Sequence, residues 1–486
     1  MFSFFKKKTK NENSSAVKQT PTNEAVQAVM EKTGWSYKHT IDEIEKARAR
    51  TGMSYKDYNR YGFYDIPENM QIGEYRHIQN RKIIRKELMQ KCIDSAADYN
   101  GWESDFAEKQ VKEARKRLGI SYKDYLEYKF YELSENEQTE KYNEIMKKRA
   151  LEKVENDRES RKKREKIIAE VMEATGWTHD FAQAEIKEAR KRTGCTYNEY
   201  NMYKFYEMDK TIQNDTFLME LSKKLALKYT PGRDFGKMLC NKAETNVFFD
   251  KYVRRPWCVN TDIAFEEFRQ KFASSGRIVY KPLGEHGAHG IKGFDIDPDN
   301  CREVYDEIIA YPEGVVEQYV VQHTDMNALS PTAVNTVRVV SISSNSQPVT
   351  ADGRKLDIAY ASLKIGGVNS SIADNLRVGG MVAAIDLESG KLITDGVDEE
   401  GNSYSVHPVT GTTIKGYNVP YFKETINMVK EAIINNALEG YLGWDIAIAP
   451  DGPVLIETNL KPGVILFTMP YAVKQVGMKH VMEKYL

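Results

Sequence analysis

The amino-acid sequence predicts an α+β protein in which an N-terminal all-helical repeat region is followed by a mixed α/β domain. Two observations lead to this prediction. One block recurs three times in the first half of the chain, and its internal spacing is helical. After about Lys228 the pattern changes to short apolar runs bounded by Gly, Pro, Asn and Asp, which is typical of strands.

Length and composition limit the functions that the chain can have. Its 486 residues exceed one ordinary core, so two or three domains are expected. A net charge of -1 gives no global field for nucleic acid or an anionic membrane. Five cysteines without a CxxC pair predict neither a disulfide framework nor a zinc site and fit a reducing cytoplasm. Residues 1–22 are expected to form a disordered tail, and no apolar run predicts a transmembrane segment.

The helical repeat region is predicted to span residues 23–228, with copies near 29–66, 96–133 and 171–208. Each copy runs without gaps from a Gly-Trp pair to a Phe-Tyr pair. A glycine ends one helix, because Gly adopts the left-handed conformation without a side-chain clash, and a Ser or Thr followed at +3 by an acid begins the next. The glycines are Gly52, Gly119 and Gly194, and the capping residues are Ser54, Ser121 and Thr196.

A tyrosine recurs at every third position of the second helix in each copy, which places these rings on one helical face. The spacing fits two interpretations. The rings form the core of the repeat, or they form a surface that binds a carbohydrate or a protein partner. The tyrosines are Tyr55, Tyr58, Tyr61, Tyr122, Tyr125, Tyr128, Tyr197, Tyr200 and Tyr203.

The C-terminal domain is predicted to span residues 229–486 and to contain seven strands and two helices. The strands are predicted at 277–283, 314–322, 336–344, 356–366, 381–387, 443–449 and 454–459, and the helices at 266–273 and 422–437.

Lys281 ends the first of these strands and is followed by a glycine-rich loop, 284–290. A cation beside a loop whose backbone amides can approach an anion suits the phosphates of a nucleotide. Glycines at this spacing also suit a plain surface hairpin, and the loop is neither a Walker loop nor a Rossmann fingerprint.

The end of the domain is predicted to form a β-hairpin. In it Glu457 and Asn459 share one face of a strand, and Asp445 lies close to them on the paired strand. Two carboxylates and an amide oxygen are ligands that Mg²⁺ prefers. A Glu-x-Asn segment alone is also typical of a solvent-facing strand end. Asp445 and the nearby loop at 462–463 favour the metal site.

In order along the chain, these residues and their neighbours resemble the ATP-grasp superfamily, and most closely its sugar-transfer associated ATP-grasp group. The resemblance covers roughly residues 190–480, so the first two repeats lie outside it. Its motifs are Asn335-Thr-Val-Arg338, Asp374-Asn375 with Gly379-Gly380, Gly443-Trp-Asp-Ile-Ala447 and Gly452-Pro-Val-Leu-Ile-Glu457.

The resemblance implies that ATP lies between two α+β lobes of this domain. Lys242 and Lys281 would contact its phosphates, and the segment from Gly287 through His289 to Gly290 would close over them. Here Asn241 precedes Lys242 where an Asp is common, and His286 and His289 are bulky for a phosphate loop.

The resemblance also implies roles for residues further along the chain. The segment Glu317-Gln318-Tyr-Val320 would contact the adenine, Asp325 the ribose, and Lys364, which replaces an expected arginine, another part of the ligand. Arg338 would face the transferred phosphoryl group and act with Lys281 in catalysis, and the Mg²⁺ ligands would be Asp445, Glu457 and Asn459.

These roles predict a ligase that uses ATP and Mg²⁺ to activate a carboxylate as an acyl phosphate, which an amine or similar nucleophile then attacks. The substrates would be small-molecule or glycan-linked, and the family name points to surface polysaccharide biosynthesis. Two alternatives remain at this stage. One is a kinase on the same fold, and the other is an ATP-sensing scaffold whose repeats bind a protein or carbohydrate partner.

Overall fold

The computed structural model describes residues 23–283, 290–331, 333–368, 376 and 379–486. The expected tail lies outside the described residues, as do Gly287, His289 and the Asp374-Asn375 pair. The chain forms two compact units that divide between Ile78 and Gln79. None of the helices in the described ranges is long and apolar enough to span a lipid bilayer.

The first unit is built from the first repeat. Its helices are α1 (Asn23–Thr33), α2 (Tyr37–Thr51) and α3 (Tyr55–Arg60), and α4 (Gln71–Asn100) begins in it. Val26, Ile44, Tyr58 and Phe63 are the centre of its core and are almost completely buried.

The second unit begins with the other two repeats, which have the same order of elements as the first. Their helices are α5 (Ser104–Leu118), α6 (Tyr122–Glu127), α7 (Glu135–Thr175), α8 (His179–Thr193) and α9 (Tyr197–Met202). The predicted stops are confirmed, because Gly52, Gly119 and Gly194 have φ of 73°, 70° and 79°. The predicted starts are confirmed too: the capping side chains accept hydrogen bonds at 3.0–3.1 Å from the backbone amides three residues on.

The tyrosines of the short helices lie mainly inside the repeats. Tyr58, Tyr125 and Tyr200 are 2%, 1% and 2% exposed, and each packs against the phenylalanine that follows in its own repeat. The structure therefore favours the core interpretation of these rings over a binding surface.

Two antiparallel sheets form the rest of the second unit. The smaller has the order β1-β4-β2-β3, with β1 (Trp257–Val259), β2 (Gly276–Pro282), β3 (Lys292–Ile296) and β4 (Gly314–Gln318). The larger has the order β11-β10-β5-β6-β7-β8-β9, with β5 (Thr336–Ser343), β6 (Leu356–Ile365), β7 (Met381–Ile385), β8 (Gly396–Val397), β9 (Ser403–Tyr404), β10 (Gly440–Ala449) and β11 (Gly452–Leu460).

Short helices connect and cover these sheets. They are α10 (Lys210–Asn214), α11 (Met219–Lys228), α12 (Arg233–Met238), α13 (Lys242–Phe248), α14 (Asp250–Val253), α15 (Phe265–Phe272), α16 (Cys301–Ile309), α17 (Thr324–Leu329), α18 (Phe422–Asn435), α19 (Ile465–Ala472) and α20 (Lys479–Glu483). Helix α18 packs on one face of the larger sheet and α11 on the other, so β5 and β10 are buried along their whole length.

The third repeat shares a hydrophobic core with the larger sheet. Tyr203 and Phe205 of this repeat are 1% and 0% exposed, and they belong to the same cluster as Val382 of β7 and Leu466 and Met469 of α19. The domain boundary predicted at 228/229 remains a prediction. Side chains from both sides of that position belong to one core.

All seven predicted strands are present, and the α+β class is confirmed. The strand predicted at 314–322 ends at Gln318, four residues early. The sequence prediction missed β1, β3, β8 and β9, which have between two and five residues. Runs of that length are too short to show a period of two.

Candidate functional site

A cavity of about 210 Å³ is lined by residues from both sheets. The smaller sheet contributes Lys281 from β2 and Glu317 from β4, and α13 contributes Lys242. The larger sheet contributes Glu457 and Asn459 from β11. We call this cavity the cleft. Its other lining residues are Leu239, Cys240, Thr245, Asn246, Ile456, Thr458 and Leu460.

Glu317 is the centre of a buried charge network on the small-sheet side of the cleft. Its Oε2 accepts hydrogen bonds from Lys281 Nζ at 2.7 Å and from Arg255 at 2.5 Å, and its Oε1 accepts one from Asn246 at 3.0 Å. The carboxylate is 3% exposed. Burial alone would raise the pKa of Glu317, but the charges of Arg255 and Lys281 outweigh it and lower the pKa to about 2. Glu317 is therefore an anion that holds Lys281 in place.

Lys242 is the second lysine of the cleft. It lies at the first position of α13, after Asn241, whose side chain caps the helix by accepting from the amides of Ala243 and Glu244. Its Nζ donates to the Pro282 carbonyl at 2.9 Å. Lys242 and Lys281 thus both line the small-sheet side of the cleft.

The large-sheet side of the cleft has the hairpin geometry that the sequence predicts. Asp445 of β10 is directly opposite Glu457 of β11, and Gly443 is opposite Asn459. The Asn459 amide nitrogen donates to Glu457 Oε1 at 3.1 Å, which leaves the Asn459 amide oxygen for another partner. Glu457 reaches solvent at the cleft, yet the protein around it and the neighbouring charge of Asp445 raise its pKa.

Arg338 and Lys364 bind Asp445 beneath the cleft. Arg338 lies opposite Asp445 on the adjacent strand β5, and its guanidinium donates to both carboxylate oxygens at 2.5 and 2.8 Å. Lys364 Nζ is 3.3 Å from Asp445 Oδ2. Burial would raise the pKa of Asp445, but these two cations hold it well below its usual range. The predicted phosphoryl-facing arginine is thus a buried arginine paired with an acid.

The other predicted ligand residues do not line the cleft as the described residues define it. The backbone N–H of Gln318 donates to the Pro256 carbonyl at 2.9 Å, and Val320 follows β4 as a half-buried residue. Asp325 lies on α17, where its backbone amide donates to His323 at 3.1 Å. Gly290 has a φ of 71° at the end of the glycine-rich loop. Their predicted contacts with adenine, ribose and phosphate stay predictions.

Sequence reasoning missed three residues of the site. Arg255 and Asn246 complete the Glu317 network, and Cys240 is an exposed thiol at the cleft. None of them stands in a motif, since Arg255 precedes the three-residue strand β1 and Asn246 lies within a short helix. Only the pairing of β1 with β4 brings Arg255 to Glu317.

No group of three or more His, Cys, Asp or Glu side chains in the described part of the chain forms a metal site. The Mg²⁺ ligand set implied by the resemblance includes an asparagine, and its two carboxylates belong to paired strands. Asp445 offers about four lone-pair positions, of which Arg338 and Lys364 use three.

The fold and the cleft together define an α+β protein whose two antiparallel sheets contribute charged side chains to one cavity. Residues 310–484 match the family model described as sugar-transfer associated ATP-grasp, which confirms the resemblance found in the motifs. Glu317, Arg338, Asp445, Glu457 and Asn459 lie inside the matched segment.

Solved structures of ATP-grasp enzymes are similar to this chain at low identity. The D-alanyl-alanine synthetase A of Vibrio cholerae is 15% identical with a TM-score of 0.33, over 55% of this chain and 69% of that one. The D-alanine-D-alanine ligase of Coxiella burnetii is 8% identical with a TM-score of 0.32, over 56% and 65%. The N5-carboxyaminoimidazole synthetase of Staphylococcus aureus, solved with ADP, is 9% identical with a TM-score of 0.32, over 54% and 58%. A search of curated proteins found no match.

Proposed function

We propose that the chain is an ATP- and Mg²⁺-dependent ligase that activates a carboxylate as an acyl phosphate for attack by an amine or a similar nucleophile. The observation that supports this proposal most is the cleft, where Lys242 and Lys281 on one wall face Glu457 and Asn459 on the other. The family description of residues 310–484 agrees with it.

The two lysines suit the phosphates of a nucleotide. Both are anchored by oxygen atoms, Lys281 by Glu317 and Lys242 by the Pro282 carbonyl, so their ammonium groups are positioned before a ligand arrives. Preorganised cations of this kind stabilise charge that develops during phosphoryl transfer.

The opposite wall suits a magnesium ion. The Glu457 carboxylate adjoins that of Asp445 across the hairpin, and the Asn459 amide oxygen takes no part in the hydrogen bond to Glu457. Two adjacent carboxylates repel each other, and a divalent cation relieves that repulsion. When bound, Mg²⁺ would neutralise phosphate oxygens and orient them toward the acceptor.

The reaction then balances without a protein nucleophile. An oxygen of the substrate carboxylate attacks the γ-phosphorus of ATP, the bond to the β-phosphate breaks, and ADP leaves. The amine attacks the carbonyl carbon of the acyl phosphate, inorganic phosphate leaves and an amide forms. Lys281 and Lys242 would offset the charge of the phosphates, while Arg338 would orient Asp445 through its two hydrogen bonds.

The finer parts of the proposal concern substrates and setting. We propose small-molecule or glycan-linked acids and amines, and a role in surface polysaccharide biosynthesis in the cytoplasm. The description of the matched family as sugar-transfer associated supports the choice of a glycan-linked substrate.

The test is ADP release with Mg²⁺ and ATP, a pool of amino acids and sugar acids, and hydroxylamine to trap an acyl phosphate. The Lys281→Ala variant removes a cation of the cleft. The matched control is Lys292→Ala, since Lys292 is an exposed lysine on the neighbouring strand β3. We expect hydroxamate from the parent chain and the control only. ADP release without hydroxamate would favour a kinase, and the absence of turnover with every acid would contradict the proposal.

A further inference from the structure

Two buried tyrosines of the larger sheet share a face with Arg338. Tyr360 of β6 pairs with Val340 of β5, and Tyr441 of β10 pairs with Ile342 of β5. Val340 and Ile342 point to the same side of β5 as Arg338, because side chains alternate with a period of two. The two tyrosines are 4% and 2% exposed, so they lie in the core beneath α11.

The third repeat places a further tyrosine in this region. Tyr203 is 1% exposed and belongs to the same core cluster as Leu466 and Met469 of α19. Phe467 of α19 stacks on the ring of Tyr360, with the two ring centroids 4.3 Å apart. Helix α19 therefore contacts both the third repeat and the sheet face that carries Arg338.

Comparison of the three repeats shows that the burial of Tyr203 depends on docking. Tyr61 and Tyr128 are its equivalents in the first two repeats, and both are only half-buried. Glu199, which is buried, accepts a hydrogen bond from the backbone N–H of Met219 at 2.7 Å and fixes the third repeat to the start of α11. Tyr203 is therefore buried by the sheet and its helices and not by the repeat alone.

The hydroxyl groups of Tyr203, Tyr360 and Tyr441 are buried, and none of them has a hydrogen-bond partner among the described residues. Such groups are uncommon in folded proteins, because an unpaired buried hydroxyl loses its bonds to water without replacement. Burial raises the pKa of all three hydroxyls, to about 12 for Tyr441, so they stay protonated. Each hydroxyl can therefore both donate and accept a hydrogen bond.

The three hydroxyls and the guanidinium of Arg338 lie in one region. Burial raises the pKa of Tyr360 most, and the hydroxyl of Tyr441 raises it further. The charge of Arg338 lowers the same pKa, and Tyr203 adds a smaller increase. Because electrostatic effects weaken with distance, these groups are neighbours.

The side chain of Arg338 extends along the same face. A Cβ atom added at Gly443 would lie 3.4 Å from Arg338 Cδ and 3.5 Å from its Nη1. Gly443 stands between Tyr441 and Asp445 on one side of β10, two residues from each. The arginine therefore covers the part of β10 that separates the acid it binds from the buried tyrosines.

The chemistry of this region favours water as the common partner of the hydroxyls. Three neutral hydroxyls offer no charge to an ion, and the charge of Arg338 is balanced by Asp445. Phe217 and Phe467 belong to the same core cluster as the two sheet tyrosines, and such apolar surroundings disfavour a charged group. A buried water typically makes about three hydrogen bonds to polar groups that lack other partners.

We propose that one buried water bridges the hydroxyls of Tyr203, Tyr360 and Tyr441, and that these tyrosines thereby position Arg338. The third repeat supplies one of the three bonds, so it is part of the structure that holds the site. The positioning role rests on the proposed function, because Arg338 acts there through Asp445. The bridging water does not depend on that function.

The first test is crystallographic and independent of activity. It compares the parent chain with Tyr203→Phe, which removes one hydroxyl and keeps the ring, at a resolution that shows ordered water. We expect one water about 2.8 Å from each of the three hydroxyls in the parent chain, and its loss or displacement in the variant. A region without water, hydroxyls bonded directly to one another, or an unmoved water in the variant would overturn the inference.

The second test is ATP turnover per nucleotide-binding site, with the number of sites and the affinity taken from calorimetric titration of ATP. We expect roughly tenfold lower turnover per site in Tyr203→Phe, with unchanged affinity for ATP. The matched control is Tyr128→Phe, the same change in the second repeat, which should equal the parent chain.

A merely structural role of Tyr203 would give a different result. It would lower the number of binding sites and leave the turnover of each site unchanged, and that outcome would overturn the positioning role. If the parent chain itself shows no turnover, the proposed function fails, and the crystallographic test still decides whether the water is present.

Discussion

Both sheets that line the cleft contain a buried carboxylate bound by an arginine and a lysine, but the side chains next to this group of charges differ between the two sheets. In the smaller sheet, Glu317 binds Arg255 and Lys281. In the larger sheet, Asp445 binds Arg338 and Lys364. Each is a buried carboxylate held between an arginine and a lysine, on strands that neighbour the cleft.

The difference lies in what each sheet adds to this arrangement. Lys242 joins the small-sheet side, so three cations accompany one carboxylate there. Glu457 joins the large-sheet side, so two cations accompany two carboxylates. One wall therefore carries surplus positive charge for phosphates, and the other presents oxygen ligands for a metal. The same ion-pair arrangement thus gives opposite chemistry on the two walls.

The largest expected effect comes from removing the central charge of the smaller sheet. Glu317→Gln leaves Arg255 and Lys281 buried without a counter-charge, so we expect a loss of about 3–5 kcal/mol in the free energy of unfolding at pH 7. Denaturant unfolding of the region around the cleft measures it, with exposed Glu266→Gln as the control.

The corresponding change in the larger sheet sharpens the comparison. Asp445→Asn should cost about half as much, because Glu457 remains close enough to Arg338 and Lys364 to balance part of their charge. An Asp445→Asn variant that is less stable than Glu317→Gln would show that the two walls do not differ as we describe.

The metal side is tested by Glu457→Gln, which removes a charge that faces the cleft and is expected to lower ATP turnover about 100-fold. Turnover as a function of Mg²⁺ concentration is the measurement. Asp451→Asn at the turn of the same hairpin is the control, because Asp451 pairs with Arg254 at the surface. Turnover by Glu457→Gln equal to that of the control would count against the metal assignment.

Lys242→Ala should have a smaller effect, about a tenfold weaker affinity for ATP. Its ammonium group donates to the neutral Pro282 carbonyl, whereas that of Lys281 donates to the Glu317 carboxylate. Calorimetric titration of ATP into the two alanine variants compares them. A larger loss for Lys242→Ala than for Lys281→Ala would reverse the order that the geometry predicts.

The Glu317 network is also expected to make the stability of the fold depend on pH. The pKa of Glu317 is lowered in the folded chain to about 2, from an ordinary value of 4.5. A carboxylate with a lowered pKa stabilises the fold above its unfolded pKa, and that stabilisation is lost as the pH falls toward the folded pKa. The stability difference between the parent chain and Glu317→Gln should therefore narrow between about pH 5 and pH 2. A difference that stays constant over this range would contradict the assignment.

Sequence predicted the fold well wherever a local signal exists. In each repeat a glycine ends one helix and a Ser or Thr begins the next. Both act through backbone conformation and capping within a few residues, so the sequence predicts these helix ends. The hairpin itself also follows from its short turn, but the pairing of Asp445 with Glu457 depends on a register shift between Asp445 and Ile446 that no local signal predicts. Strands β8 and β9 have no such signal, because two-residue strands exist only through their partners.

Contacts between distant segments could not be predicted from the sequence. The pairing of Arg255 with Glu317 and of Arg338 with Asp445 depends on which strands become neighbours, and sequence spacing does not encode that. The aromatic face of the repeats was open to two interpretations for the same reason. Burial of Tyr125 favours a core role for the ring.

Cys240 allows the most direct test of the claim that the cleft binds Mg²⁺ and ATP. It is the exposed cysteine of the chain and lines the cleft, whereas the other four are buried. The rate at which a thiol reagent modifies Cys240, followed by mass spectrometry, reports access to the cleft. We predict that millimolar Mg²⁺ and ATP slow this reaction in the parent chain and leave it unchanged in Lys281→Ala. An equal rate in the parent chain with and without the nucleotide would contradict the account.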